Sequence, residues 1–398
     1  MKNSMMQWYF LSAENHTHHA SENHELILNG SILEMNQNMA LTLLPVVIYV
    51  TIIMILGIVG NFVVCYIYFF RWKKKTVKYF IGFLAAYDLV ASVICMPIEI
   101  AMLQNPVTLD DANLCRFVRF TRSVTSLGAG LMLVVIAVDR YMKICRMTSR
   151  HIKIPFAKKL CVSTAVIALL FSWPCLIIFG QTNRIKSPIA ETACSIDRGY
   201  SDTPYPTLYY GMVSVLFLII SLCLLIFYSL VLNKLCKHSA TGIRKSKFTL
   251  ESNSNNVSSS PESFQNDSSY LSIETKDCPS PVDQNSEKFL KTNTNANVST
   301  LNRPSTQIRM KRTTFMLLLI TLIHWVSYFP YFGLLLVKTF NTQFLQTMST
   351  NDQVLYNLGI LSHFLSSGIN PFVYGFFSQD FRKELQRAIL TIKDKIAC

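Results

Sequence analysis

The chain has 398 residues, of which 51% are hydrophobic and only 15% charged, and its mean hydropathy is positive. That balance excludes an ordinary soluble domain and points to a polytopic membrane protein. The formal net charge of +14 does not indicate nucleic acid, because the basic residues cluster in short segments beside apolar runs, the pattern of positively charged cytoplasmic loops. The eleven cysteines are scattered, mostly inside apolar runs, and show no paired CxxC spacing of a zinc or redox site.

Residues 1–40 read as an extracellular arm. The apolar patch from Met5 to Leu11 is too short for a signal-peptide core, so the first span is expected to act as the insertion signal. Asn15-His16-Thr17 and Asn29-Gly30-Ser31 are glycosylation acceptors, which fits an arm outside the cell. His16, His18, His19 and His24 lack a scaffold, and no metal site is assigned to them.

Apolar runs of spanning length follow at about Leu41 to Phe70, Tyr79 to Leu103, Cys115 to Ile144, Leu160 to Gly180, Pro206 to Asn233, Thr313 to Val337 and Val354 to Phe376. The fold class expected is an all-α membrane protein, a seven-transmembrane helix bundle. The first five spans occupy residues 41–237 and the last two 305–376. Arg71 to Lys78 carries five basic residues, and further Lys and Arg follow Arg140 and Phe376. These loops are expected in the cytoplasm and the N-terminus outside, in a multi-pass plasma-membrane protein. Residues 238–304 are rich in Ser, Asn, Thr and Asp, too polar to bury a core, and read as a disordered third intracellular loop. Residues 377–398 alternate apolar and basic positions with helical spacing. They predict a short amphipathic eighth helix on membrane lipid and a short tail.

Several short motifs sit at corresponding points of these spans: Gly57-Ile58-Val59-Gly60-Asn61, Leu84-Ala85-Ala86-Tyr87-Asp88-Leu89, Asp139-Arg140-Tyr141, Phe329-Pro330, and Asn370-Pro371-Phe372-Val373-Tyr374. Arg140 follows Cys115 by the spacing that separates the disulfide cysteine from the central arginine of one family. Together these residues resemble the rhodopsin-like (class A) G-protein-coupled receptors over all seven spans, with most similarity to peptide-receptor branches. The resemblance implies a receptor that binds an extracellular ligand, a neuropeptide by its likeness to peptide-receptor branches, and activates heterotrimeric G proteins. No enzyme is expected, since neither a paired nucleophile and base, nor a HExxH, nor a phosphate loop is present. A receptor for a lipid or small organic acid is the alternative; a transporter, a third reading, should show paired broken helices in related halves.

The resemblance assigns roles residue by residue. Asp139, Arg140 and Tyr141, with Tyr228, Asn370, Pro371 and Tyr374, form the G-protein switch. Asn61, Asp88, Ser366, Ser367 and Asn370 form a mid-membrane polar core, read either as an allosteric sodium site or as a hydrogen-bond cluster; Ala129 stands where the family commonly offers a serine ligand. Cys115 and Cys194 face the oxidising side on this topology and are expected to pair. Arg122 occupies the position at which monoamine receptors carry an aspartate, and Arg119 lies one turn outward. Two readings stand: the guanidinium groups contact an acidic group of the ligand, or Glu99 neutralises Arg122 internally. Glu99, Arg119, Arg122, Tyr328 and Tyr331 are the expected ligand pocket. Tyr328 replaces the family tryptophan two residues before Pro330, and His324 below it reads as a core histidine. Trp173-Pro174 is expected to pack within the fourth span. Cys398 is a candidate for palmitoylation, and Ser252 to Ser299 for phosphorylation by a receptor kinase and recognition by arrestin.

Overall fold

The computed structural model describes residues 33–34, 36–71, 76–105, 111–146, 152–181, 194–255, 303–340 and 348–397. Asn15, Asn29, the four N-terminal histidines, residues 256–302 of the third loop and Cys398 lie outside the described residues.

Six helices long and apolar enough to cross a membrane are present among the described residues: α1 (Leu44–Arg71), α2 (Thr76–Gln104), α3 (Ala112–Arg146), α4 (Ile154–Ile178), and the apolar parts of α5 (Tyr205–Asn255) and α6 (Arg303–Phe340). The seventh span is assembled from two pieces, α7 (Thr350–Leu361) and α8 (Phe364–Phe377). A two-stranded antiparallel hairpin, β1 (Phe179–Gln181) with β2 (Cys194–Ile196), closes one end of the bundle. It is the one departure from an all-α architecture among the described residues.

The first helix shows how the sequence sorts its faces. Ile48, Ile52, Ile55, Val59 and Phe62 follow one another at intervals of three or four and are all exposed, whereas Val46, Val50, Ile53, Gly57, Asn61 and Val64 are buried. At 3.6 residues per turn the first set forms a lipid-facing stripe and the second a seam against the bundle. That seam packs on α2 and α8. Gly60 is required there: a Cβ would fall 2.6 Å from Pro371, so any side chain would force α1 off the seventh span. The central α3 packs on α2, α4, α5 and α6.

Proline sets the local irregularities. Pro155 in the first turn of α4 supplies a preset helical φ, and the helix accordingly starts at Ile154, before the expected Leu160. Pro174 interrupts the same span after Ser172. Trp173 at that break is 54% exposed, so it faces outward instead of packing within the span. A wide turn, Ala91–Cys95, precedes Pro97 in α2, where the missing backbone donor loosens the ladder.

Two further boundaries differ from the composition-based reading. Helix α5 runs to Asn255, past the change to polar sequence at residue 238 and through Gly242, because polar residues and a single Gly lower helix propensity by only about 1 kcal/mol each and do not by themselves end a helix. The eighth helix, α9 (Gln379–Ala397), has 19 residues and is not short: no Pro or Gly interrupts residues 379–397. Phe381 and Ala388 are buried against the bundle while Ile389 and Leu390 are exposed.

Candidate functional site

Two groups of residues occupy opposite ends of α3. At the hairpin end, Cys115 and Cys194 form a disulfide with Cα atoms 5.1 Å apart, tying β2 to α3. Two arginines of α3 reinforce the tie. Arg116 donates from Nε to the Phe179 carbonyl at 3.0 Å and pairs with Asp197 at 3.0 Å. Arg119 donates from Nη2 to the Cys194 carbonyl at 2.9 Å and from Nε to its sulfur at 3.3 Å.

Beneath the hairpin lies a cavity of about 170 Å³. Glu99, Arg119, Arg122, Tyr328 and Tyr331 all line it, so the structure brings together the five residues expected there. The internal pairing of Arg122 is present, without deciding whether a ligand also meets it: its Nη1 is 2.7 Å from Glu99 Oε1, and Arg119 Nη1 is 3.6 Å from the same oxygen. The three-residue cluster keeps one net positive charge. Arg122 also lies over the Tyr331 ring, 5.5 Å from its centroid, a cation–π contact in a desolvated site. Arg119 is chiefly a hairpin anchor.

The floor of the cavity is aromatic. Tyr328 stacks on His324 with centroids 4.2 Å apart, and the column continues through Phe332 to Phe217. His324 is buried, as expected of a core histidine, yet it also lines the cavity. Sequence reasoning missed His363, which touches Tyr328, Tyr331 and Phe364. It also missed a polar shelf in which the Tyr209 hydroxyl meets Ser123 at 3.0 Å and Cys175 at 2.8 Å, with Ser172 on Ser123 at 2.9 Å. The polar shelf joins α3, α4 and α5, three spans whose register only the fold reveals.

Midway along the bundle, Asn61 Nδ2 donates to the carbonyls of Gly57 and Ser367 at 2.9 and 2.8 Å. Asp88 accepts from Ser367 Oγ at 2.7 Å and from Asn370 Nδ2 at 2.9 Å. In a hydrocarbon surrounding, such groups must be satisfied within the bundle. Ser366 does not join them: its hydroxyl donates to the His363 carbonyl at 2.9 Å, one helical turn away.

At the opposite, basic end, Asp139 Oδ2 accepts from Arg140 Nη2 at 2.9 Å and from Lys143 Nζ at 2.8 Å. Asp139 and Arg140 are buried. Lys143 was not singled out from the sequence, although its i+4 spacing from Asp139 carried the signal. Tyr141 packs on Phe227, 5.6 Å between centroids. Tyr228 and Thr321 bring their hydroxyls within 3.2 Å, joining α5 to α6. Tyr374 is wholly buried beside Tyr68, which stacks on Phe381 of α9. Arg140 is thus held by Asp139, while the two tyrosines of the expected switch are engaged elsewhere. A further contact closes this end: Arg312 of α6 and Arg382 of α9 both donate to the Phe376 carbonyl at 3.2 Å, and Phe315 packs on Phe377 at 5.5 Å.

A family model described as the 7 transmembrane receptor (rhodopsin family) matches residues 60–374. Neuropeptide FF receptor 2 of Rattus norvegicus is 22% identical over 364 residues, covering 87% of this chain and 72% of that protein. The RYamide receptor of Drosophila melanogaster is 33% identical over 133 residues, 32% of this chain and 28% of that protein. Neurotensin receptor type 1 of Rattus norvegicus is 27% identical over 190 residues, 41% of this chain and 43% of that protein. Among solved structures, squid rhodopsin superposes with a TM-score of 0.60 at 16% identity, covering 87% of this chain and 84% of its own; at that identity the likeness concerns the fold.

Proposed function

This chain belongs to the rhodopsin family of seven-transmembrane receptors, and on that premise we propose that it is a peptide receptor that couples ligand binding at the hairpin end to G-protein activation at the basic end. As a member of that family it is a multi-pass membrane receptor and not an enzyme. The observation that carries the reading is the pair of sites on one helix: α3 places Arg122 in the cavity and Arg140, held by Asp139, at the far end. A ligand that binds the open bundle better than the closed one shifts the population by that difference in affinity and no more. In the open form α6 moves away from α8, Arg140 leaves Asp139, and the exposed guanidinium meets a heterotrimeric G protein.

The hairpin end faces the outside of the plasma membrane in this reading, which fits the disulfide there and the basic loops opposite. A peptide is favoured because the relatives named above are receptors for neuropeptide FF, RYamide and neurotensin. The cavity has room for the end of such a ligand, with the remainder against the hairpin. The single net positive charge of Glu99, Arg119 and Arg122 suits an oxygen acceptor, either a carbonyl or a carboxylate. A lipid or small organic acid is the second reading, favoured by that same charge.

Three further partners follow from the same premise. Asp88, Ser367 and Asn370 converge, and Asn370 Oδ1 is buried without a partner. These oxygens suit a monovalent cation completed by water, with Ser366 and Ala129 contributing none. Sodium-dependent ligand affinity, abolished by Asp88→Asn, tests it. Ser252 to Ser299 supplies the receptor-kinase and arrestin site, and deleting that segment should abolish agonist-induced phosphorylation.

The deciding experiment expresses the full chain with a panel of neuropeptides and lipids and measures nucleotide exchange on purified G proteins. A peptide that drives exchange in the wild type should lose that effect in Arg140→Ala while still binding. Exchange driven by lipids alone, or by no ligand, would overturn the peptide reading.

A further inference from the structure

At the basic end, α1 and α9 meet twice. Phe381, in the first turn of α9, stacks on Tyr68 with ring centroids 6.0 Å apart. Further along α9, by roughly 15 Å at 1.5 Å per residue, Arg71 donates from Nη2 to the Thr391 hydroxyl oxygen at 3.3 Å. Arg71 closes the last turn of α1, so this bond ties the end of one helix to the outer part of the other. The Phe381 contact is buried. The Thr391 contact lies at the surface and gives a full cationic charge only a neutral acceptor.

Thr391 carries the only hydroxyl of α9 and is exposed. Its own proton goes to the Arg387 carbonyl, 2.8 Å away, which leaves its oxygen to face Arg71. Arg387, one turn back on the same side, pairs with Glu384 at 2.6 Å and is itself 63% exposed. In sequence the hydroxyl stands between Arg387 and Lys393, a basic setting that suits a kinase with an acidic substrate groove. Ile389 and Thr391 are β-branched and lower the local helix propensity, which eases the unwinding a kinase needs to reach the hydroxyl.

We propose that Thr391 is a phosphorylation site whose phosphoryl group is received by Arg71, turning a weak surface contact into a clasp that fixes α9 along the end of α1. The hydroxyl oxygen attacks the γ-phosphorus of a nucleoside triphosphate held by a protein kinase. An O–P bond forms as the β–γ bridging bond breaks, the nucleoside diphosphate leaves, and the hydroxyl proton passes to the kinase's base. The product carries about −1.5 to −2 charge and three strong acceptor oxygens. Arg71, already in contact, meets them in the two-pronged geometry that guanidinium and phosphate share. Only the cytoplasmic placement of the basic end is taken from the receptor reading. Arg71 and Thr391 meet while Asp139 holds Arg140, so no agonist is required and the site is separate from Ser252 to Ser299.

The position also fixes the sign of the effect. A phosphate near a helix C-terminus is opposed by the helix dipole, and Asp394, on the next turn, adds another negative charge. On α9 alone the modification should loosen the last two turns. The cation of α1 reverses that to a tightening.

The test uses the full chain in maltoside micelles, which carry no phosphate to compete for Arg71. Incubation with ATP and the catalytic domain of protein kinase C should place phosphate on Thr391, read by mass spectrometry of the tail peptide and lost in Thr391→Ala. In a separate arm, phosphothreonine is installed at position 391 by codon suppression, and amide hydrogen exchange is followed over residues 385–397. The modification should slow that exchange about fivefold, equivalent to about 1 kcal/mol. Arg71→Gln should abolish or reverse the slowing, and Arg71→Lys, which keeps the charge without the fork, should retain about twofold. Absence of phosphate at Thr391, exchange unchanged or faster in the phosphorylated wild type, or undiminished slowing in Arg71→Gln would each overturn the inference. Peptide-driven nucleotide exchange judges the receptor reading separately, since none of these measurements involves a G protein.

Discussion

Removal of Glu99 tests the electrostatics of the pocket most directly. Its Oε1 is shared by Arg122 at 2.7 Å and Arg119 at 3.6 Å, and the side chains of Glu99 and Arg122 are 5% and 9% exposed. Glu99→Gln leaves two guanidinium groups without their counter-charge. Breaking a buried pair from one side costs roughly 3–5 kcal/mol, and the Cys194 carbonyl that holds Arg119 places this case toward the lower end. Arg122→Gln leaves Glu99 with Arg119 and should cost less. The double variant Glu99→Gln/Arg122→Gln removes the stranded charge, so its loss should fall short of the sum of the singles by about 2 kcal/mol, within the range found for contacting pairs. Unfolding free energies of the four proteins in mixed micelles, by denaturant titration, supply the cycle. Additivity within about 0.5 kcal/mol would show that the pair is not coupled and refute the reasoning.

Lys143 and Arg140 compete for one oxygen of Asp139, so Lys143→Met should strengthen the remaining pair and lower basal nucleotide exchange by roughly fivefold, equivalent to about 1 kcal/mol for a partly exposed ion pair; a rise in basal exchange would contradict it. Arg312→Gln removes a tie between α6 and the end of α8 and should raise basal exchange severalfold, read in the same assay, whereas unchanged exchange would mean the contact is passive. At the start of α7, Ser349 caps the helix and donates from its hydroxyl and its N–H to Asp352, which holds that carboxyl below its ordinary value of 3.8. A depressed pKa stabilises the fold above the unfolded value and loses the contribution as pH falls through the folded one. The melting-temperature difference between wild type and Asp352→Asn should therefore be present at neutral pH and shrink below about pH 4; a constant difference would exclude the carboxylate as its source.

The spans, their number and most residues of both sites were legible because burial in lipid writes long apolar runs with few charges, against which Asp88, Arg122 and Asp139 stand out. What the sequence hid depends on neighbours distant in the chain. The break in the seventh span falls at Ser362 and His363, with no Pro or Gly at the break. Ser362 Oγ lies 2.7 Å from both the Ser327 carbonyl of α6 and the Gly359 carbonyl, so packing against α6, more than local propensity, sets it. The bond from Arg119 to the Cys194 carbonyl was hidden, because the hairpin that accepts it forms only when Cys194 is brought to α3. Ser366 and Ser367 adjoin in sequence, yet 100° of helix rotation separates adjacent side chains, and only Ser367 bonds Asp88. His363 gave no signal, since its contacts are a property of its surroundings.

The carbonyl of Phe376, which accepts from Arg312 and Arg382, is a backbone atom. No substitution at position 376 deletes it, so the strength of this fastening is written entirely in its two donors. Each arginine can be changed in a single step without disturbing the acceptor or the other donor's access to it. The resting balance of the receptor is thus adjustable in small, separable increments from the basic end. Natural or engineered variants that alter tone while sparing ligand recognition should collect at Arg312 and Arg382, where the cavity is far enough away to remain unaffected.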